Sequence, residues 1–232
     1  MVCHSDEKAI IIDFFSGSAT TAHAVIQLNA EDGCHRKFIL VQLPEVCGED
    51  SEAYRAGYST ICEIGEERIR RAGAEIKAEV EEANKQPKIG EEPKKVPDVG
   101  FRVLRIDSSN FNDVSAAPDQ YEQTSIDLFV DNLKPDRSDL DILFQVLPKF
   151  RIPLSAKIEE LDMGGKTVFN VNDGQLVACF SNQIDNVAIE RIAQMRPLYA
   201  VFRDACLADD ATAANLEELF KTFSPDTVRR VI

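Results

Sequence analysis

A chain of 232 residues, 44% of them hydrophobic, holds enough apolar material for one large domain or two small ones and is not a disordered tail. Its formal net charge of −14 argues against nucleic-acid binding by this chain alone, because such binding rests on neutralising phosphates with lysine and arginine. No apolar run approaches a membrane span and no basic-then-apolar stretch marks a secretory signal, so a soluble cytoplasmic protein without a membrane partner is expected.

Residues 9–14 form a short apolar run rich in β-branched side chains, which predicts a buried strand of a parallel sheet. Ser16-Gly17-Ser18 breaks it, and residues 20–29 read as a helix with Ser18 or Thr20 available as its N-cap. Glu31-Asp32-Gly33 ends that helix, and residues 37–43 make a second buried strand stopped by Pro44. Strand, glycine turn, helix and strand form a βαβ unit, for which a right-handed crossover is expected.

Residues 58–83 follow a helical period through Tyr58, Ile61, Ile64, Ile69, Ala72, Ile76 and Val80. Its other face carries Glu66, Glu67, Arg68, Arg70 and Arg71, read as a solvated, internally paired face rather than a phosphate grip. Residues 84–98, with Pro87, Pro93 and Pro97 among lysines and glutamates, read as a loop or linker, and 101–106 alternate like a half-buried strand.

A second unit starts near Asp107-Ser108-Ser109. It is expected to hold a helix at 138–149, two or three strands within 157–180, a helix at 185–195, a strand at 198–203 and a helix at 213–222. Gly164-Gly165 and Asp173-Gly174 supply the turns. Gly164-Gly165-Lys166-Thr167 has the look of a phosphate loop, but Glu160 stands where the first glycine is required, and a hairpin turn is preferred. The fold class expected is α/β: a doubly wound sheet fragment over residues 1–107, then a small mixed α/β domain over 108–232.

The six cysteines, Cys3, Cys34, Cys47, Cys62, Cys179 and Cys206, form no CxxC pair. The adjacent pairs Cys3-His4 and Cys34-His35 lack metal-ligand spacing, so reduced thiols and no metal are expected.

The segment that carries chemistry is Asp13-Phe14-Phe15-Ser16-Gly17-Ser18-Ala19-Thr20-Thr21. Ligands bind at the carboxyl ends of parallel strands, and a tight glycine turn lets backbone N–H groups approach them closely. Asp13 could accept hydrogen bonds from an ammonium group, which suits the methionine part of S-adenosylmethionine better than a pyrophosphate. No lysine follows the glycine, which removes the nucleoside-triphosphate loop, and a single glycine is not a dinucleotide fingerprint. An ordinary strand–turn–helix connection stays open on the loop alone. His23, one turn into the helix, reads as a packed or surface histidine.

This loop resembles the Asp-x-Phe-x-Gly-Ser-Gly-Thr-Thr motif of amino-group DNA methyltransferases. Further stretches are similar to the modification subunit of type III restriction–modification systems: Thr20–Val25, Leu28–Gly33, Phe38–Glu45 and Ile69–Gly73, with Leu133–Arg137, Gly165–Phe169 and Val201–Asp204 in the second unit. The resemblance implies a partial Rossmann-like methyltransferase sheet and S-adenosyl-L-methionine as cofactor. Asp13, Phe15, Gly17 and Ser18 would then hold its methionine end, while Thr20 caps the helix facing the carboxylate. Gln42 stands where relatives often carry an acidic group for the ribose, with Glu45 as the backup. Ala19 replaces the motif's second glycine, and its methyl costs affinity where the backbone needs positive φ or touches the ligand.

The resemblance also implies an Asp/Asn/Ser-Pro-Pro-aromatic clamp for the flipped adenine. The chain has ten prolines, no two adjacent, so it contains no such clamp and no catalytic residue is assigned. The expectation is the cofactor-binding part of a site-specific adenine N6-methyltransferase, inactive alone. Its expected partners are an upstream catalytic and target-recognition half, DNA through that half, a restriction subunit, and a second copy of the chain. The alternatives are a non-catalytic assembly module and a methyltransferase for something smaller than DNA.

Overall fold

The computed structural model describes residues 7–85, 93–112, 133–207 and 210–232. The Cys3-His4 pair and residues 86–92 of the 84–98 linker, Pro87 included, lie outside the described residues. The chain divides into two compact units, Met1–Arg105 and Ile106–Ile232, each of mixed α/β character.

In the first unit, β1 (Ile10–Phe14) and β2 (Lys37–Val41) pair in parallel, with Ile12 opposite Ile39 and Phe14 opposite Val41. Helix α1 (Thr20–Asp32) connects them and ends at Gly33, whose φ of 73° lets its N–H return to the Asn29 carbonyl. Asn29 is buried and steers the chain into β2: its amide donates to the Arg36 carbonyl at 2.9 Å and accepts the Arg36 N–H at 3.1 Å. A bidentate Arg36–Asp32 pair closes the same corner, and the guanidinium holds the Asp32 carboxyl well below the usual range. The strand expected over 37–43 stops at Val41, because Gln42 and Leu43 leave the ladder for contacts described below.

After a short helix α2 (Glu52–Arg55), the long helix α3 (Ile61–Lys85) lies against α1. Ile69, Ala72, Gly73, Ile76 and Val80 fall on one stripe of α3 and are buried. Ile69, Ile76 and Val80 pack with Ala19, Ala22, Ile26 and Ala30, joined by Phe38 and Leu40 from β2. Arg70 and Arg71 pair with Glu66 and Glu67 along the outer face, as read from the sequence.

Two expectations fail here. Residues 101–106 form no strand; Phe101 turns inward, with the Arg70 guanidinium 5.6 Å from its ring, while Val103, Leu104 and Ile106 stay exposed. An alternating pattern makes a strand only where another strand offers a ladder. The β1–β2 pair is also not buried on both faces as a doubly wound sheet would be. Its residues alternate half-buried and exposed, and Ile10, Ile12, Phe14, Ile39 and Val41 lie bare on the side away from the Phe38–Leu40 core.

The second unit is a five-stranded sheet in the order β3 (Ile158–Asp162), β4 (Thr167–Val171), β5 (Leu176–Cys179), β6 (Tyr199–Phe202), β7 (Val228–Val231). The first three strands are antiparallel neighbours and the last three parallel. Gly164-Gly165 turns β3 into β4, with the Gly165 N–H on the Asp162 carboxylate at 2.7 Å, so the apparent phosphate loop is a hairpin. β5 is buried throughout because it is covered twice. Val177 and Cys179 face a core with Ile189, Ile192 and Phe220, which come from α5 (Asn186–Gln194) and α6 (Asp210–Phe223). Leu176 and Ala178 face the opposite core, with Ile142, Leu143 and Val146 of α4 (Asp139–Val146).

α4 starts with a capping box: the Ser138 hydroxyl accepts the Asp141 N–H, and the Asp141 carboxylate accepts the Ser138 N–H. Cys206 donates its thiol to the Cys179 carbonyl at 3.1 Å, and both cysteines are fully buried. β7, whose inner arginines hide the period, was not legible in the sequence.

Among the described residues no helix is long and apolar enough to cross a membrane, and no group of three metal-ligating side chains occurs.

Candidate cofactor site

The turn after β1 is built from left-handed residues in alternation: Phe15 at φ 65°, Gly17 at 53° and Ala19 at 61°. Two of the three are not glycine, and each such residue costs roughly 1–2 kcal/mol. Strain of this kind persists only where the surroundings over-determine it. The surroundings are visible. Phe15 and Ser16 both donate to the Val41 carbonyl, at 2.8 and 3.3 Å, fastening the start of the turn to the end of β2. The Gly17 N–H donates to Gln42 Oε1 at 2.8 Å, while Gln42 Nε2 donates to the Leu43 carbonyl at 3.1 Å. The Ala19 N–H returns to Ser16 at 2.9 Å and closes the turn.

The N-cap position of α1 falls on Ala19, not on Ser18 or Thr20 as expected, and no side chain caps the helix. Thr20 is the first helical residue and is exposed. The first intrahelical bond runs from His23 to Ala19, so the N–H groups of Thr20, Thr21 and Ala22 precede it. Such a terminus carries partial positive charge and favours anionic groups.

Asp13 lies at the carboxyl end of β1, and its Oδ2 accepts the Thr21 hydroxyl at 2.5 Å. That bond places a carboxylate one hydrogen bond from the uncapped first turn of α1. Phosphate groups would be repelled by it, whereas a ligand with an ammonium beside a carboxylate matches both features.

The remaining candidates are distributed as follows. Phe15 projects outward, 76% exposed, and Ser18 is half-buried between Gly17 and Ala19. Gln42 is committed to the turn through its side-chain oxygen. One N–H and one lone pair of its amide remain for a further partner. The Glu45 side chain is exposed, and its carbonyl accepts the Ile61 N–H at 3.0 Å, pinning the start of α3. His23 is half-buried on α1.

Sequence reading missed three contributors. Thr21 was passed over for its neighbour, although it is the hydroxyl that reaches Asp13. Cys62 approaches the carbonyls of Gln42 and Leu43 at 3.7 Å each, and burial pushes its thiol up. Gly65 lets α3 come close to the turn: a Cβ there would stand 3.4 Å from both the Ala19 Cβ and the Gly17 carbonyl oxygen. A lone glycine inside the buried stripe of a helix was the available signal. The Ala19 methyl therefore faces α3, and the residue is 3% exposed within the helix–helix core.

No protein-family model matches the chain. It is 49% identical over 73 residues to the type III restriction-modification enzyme StyLTI Mod subunit of Salmonella typhimurium, covering 32% of this chain and 11% of that protein. It is 33% identical over 174 residues to the EcoP15I Mod subunit of Escherichia coli, covering 74% of this chain and 23% of the relative. The type II methyltransferase M.KpnI of Klebsiella pneumoniae is 42% identical over 62 residues, 27% of this chain and 15% of the relative. The chain thus spans only about a tenth to a quarter of the length of these curated relatives. Within the stretch it does span, the chain is related to the Mod subunits of type III restriction-modification enzymes.

Proposed function

We propose that the first unit is the cofactor-binding part of an S-adenosylmethionine-dependent methyltransferase with a Rossmann-like sheet, serving adenine N6-methylation of DNA in a restriction–modification system. The observation that carries this reading is the Asp13–Thr21 bond, which sets a carboxylate beside an uncapped helix N-terminus. In this reading Asp13 holds the ligand's ammonium, and the N–H groups of Thr20 and Thr21 with the Ser18 hydroxyl hold its carboxylate. The Gly17 turn passes close to the methionine, Phe15 flanks it, and the spare amide capacity of Gln42 serves the ribose, with Glu45 in reserve. The cofactor supplies an electrophilic methyl on a sulfonium; the chain's own residues bind and orient, which is the larger part of bringing two reactants together.

No two prolines are adjacent in these 232 residues, so the adenine clamp is assigned to an upstream catalytic half outside them, along with the basic surface for DNA that a stretch of net charge −14 does not provide. DNA contact, a restriction subunit and the target-recognition region belong to that assembly. Titration calorimetry with S-adenosylmethionine tests the reading: saturable heat is expected for the chain, strongly reduced in Asp13→Asn. Calorimetry with no saturable heat would instead favour a non-catalytic assembly module, a reading supported by the engagement of Gln42 with Gly17.

A further inference from the structure

We infer that Gln42 is a positioning residue that couples the two ends of a nucleoside-linked amino acid: a sugar held by its amide tightens the turn after β1 for the amino-acid end. The inference rests on the reading above for the identity of the ligand, but its geometry stands on the end of β2, which grips the turn at two consecutive residues. Val41 does so through its carbonyl, which accepts the N–H groups of Phe15 and Ser16 at 2.8 and 3.3 Å. Gln42 does so through its side chain, whose Oε1 accepts the Gly17 N–H at 2.8 Å. The first grip is backbone on backbone. The second runs through a half-buried side chain that a ligand can also touch.

An amide has two N–H donors and two oxygen lone pairs. Gly17 takes one lone pair, and the Leu43 carbonyl takes one N–H at 3.1 Å. The donor and acceptor left over match a sugar hydroxyl, which is itself both. The backbone beneath is held from behind, with Cys62 Sγ 3.7 Å from the carbonyls of Gln42 and Leu43 and the Ile61 N–H on the Glu45 carbonyl at 3.0 Å. A sugar bound here therefore restrains the Gln42 side chain and not the strand. At the far side of the Gly17 bond the turn is strained, with Phe15, Gly17 and Ala19 left-handed at φ 65°, 53° and 61°. Such a backbone keeps its shape only while its restraints hold. Donation from Nε2 to the sugar polarises the amide and strengthens Oε1 as the acceptor for Gly17. The turn is then already ordered when the amino-acid end arrives, which makes the two ends mutually favourable without contact between them.

Titration calorimetry of the 232-residue chain with two probes tests the coupling. S-adenosylhomocysteine carries both nucleoside and amino acid, and methylthioadenosine carries the nucleoside without the amino acid. Gln42→Ala is expected to weaken methylthioadenosine about fivefold and S-adenosylhomocysteine about fivefold more than that, each factor being what one neutral hydrogen bond contributes. Gln42→Glu keeps an acceptor for Gly17 and for a hydroxyl and should restore most of both losses. Hydrogen exchange at the Gly17 amide needs no variant, and so stands if Gln42→Ala does not fold: methylthioadenosine alone is expected to slow it. Equal weakening of the two probes would reduce Gln42 to a sugar contact, and weakening of S-adenosylhomocysteine alone would reduce it to a support of the turn. Either result overturns the coupling, as does a Gly17 amide whose exchange ignores methylthioadenosine. A wild-type chain that binds neither probe removes the cofactor reading itself and the coupling with it, so the two failures are told apart.

Discussion

The amide of Gly17 donates to the side-chain oxygen of Gln42, joining the turn after β1 to the residue after β2 at 2.8 Å. Gln42 is therefore part of the turn's support. Replacing it by alanine leaves a partly buried donor without its acceptor and should lower unfolding stability by about 1 kcal/mol. Gln42→Glu keeps an acceptor and should retain most of that stability. Urea unfolding distinguishes the two variants; equal losses would show that the bond does not support the turn.

Ala19→Gly should stabilise the chain slightly. Releasing alanine from a left-handed backbone gains roughly 1–2 kcal/mol, while removing one buried methyl loses about 0.8 kcal/mol. The net gain is then about 1 kcal/mol or less, readable as a rise in melting temperature. Because the methyl faces Gly65, any change in cofactor affinity would come from the relaxed turn and not from a cleared pocket.

Ser138→Ala should destabilise the second unit by about 1 kcal/mol at neutral pH by opening the α4 capping box. The Ser138 hydroxyl and backbone N–H hold the Asp141 carboxyl below its ordinary value. A depressed folded-state value contributes stability that is present above the unfolded value and lost as pH falls through the folded one. The difference between wild type and variant should thus shrink in acid, below the ordinary aspartate range, when unfolding is followed against pH.

The purified chain should transfer no methyl group from S-adenosylmethionine to an adenine-containing duplex. Radiolabel incorporation into such a duplex, above a sample lacking protein, would refute the assignment of the adenine clamp to a part outside these 232 residues.

Elements with their own local signals were legible in the sequence. β1, α1 and the hairpin turns showed through apolar runs broken by glycine, and α5 through the alternation of buried Ala188, Ile189 and Ile192 with exposed positions. What failed depended on partners distant in sequence. The 101–106 stretch alternates correctly but has no strand beside it, and β7 carries arginines inward of its valines because it lies at a sheet edge. The turn after β1 was legible as a motif, yet its supports were not. Thr21 looked equivalent to Thr20 until helix geometry turned one toward Asp13, and Gln42 could not be seen as a brace before the parallel register put it beside Gly17.

The distribution of thiols gives each unit its own chemical clock. Cys34, Cys47 and Cys62 are half-buried in the first unit, whereas Cys179 and Cys206 in the second have no exposed surface. An alkylating reagent can reach the latter pair only when the five-stranded sheet opens, so its rate of modification at those two sulfurs times that opening alone. Mass spectrometry of the peptides would then separate the breathing of one unit from that of the other in a single unmodified sample.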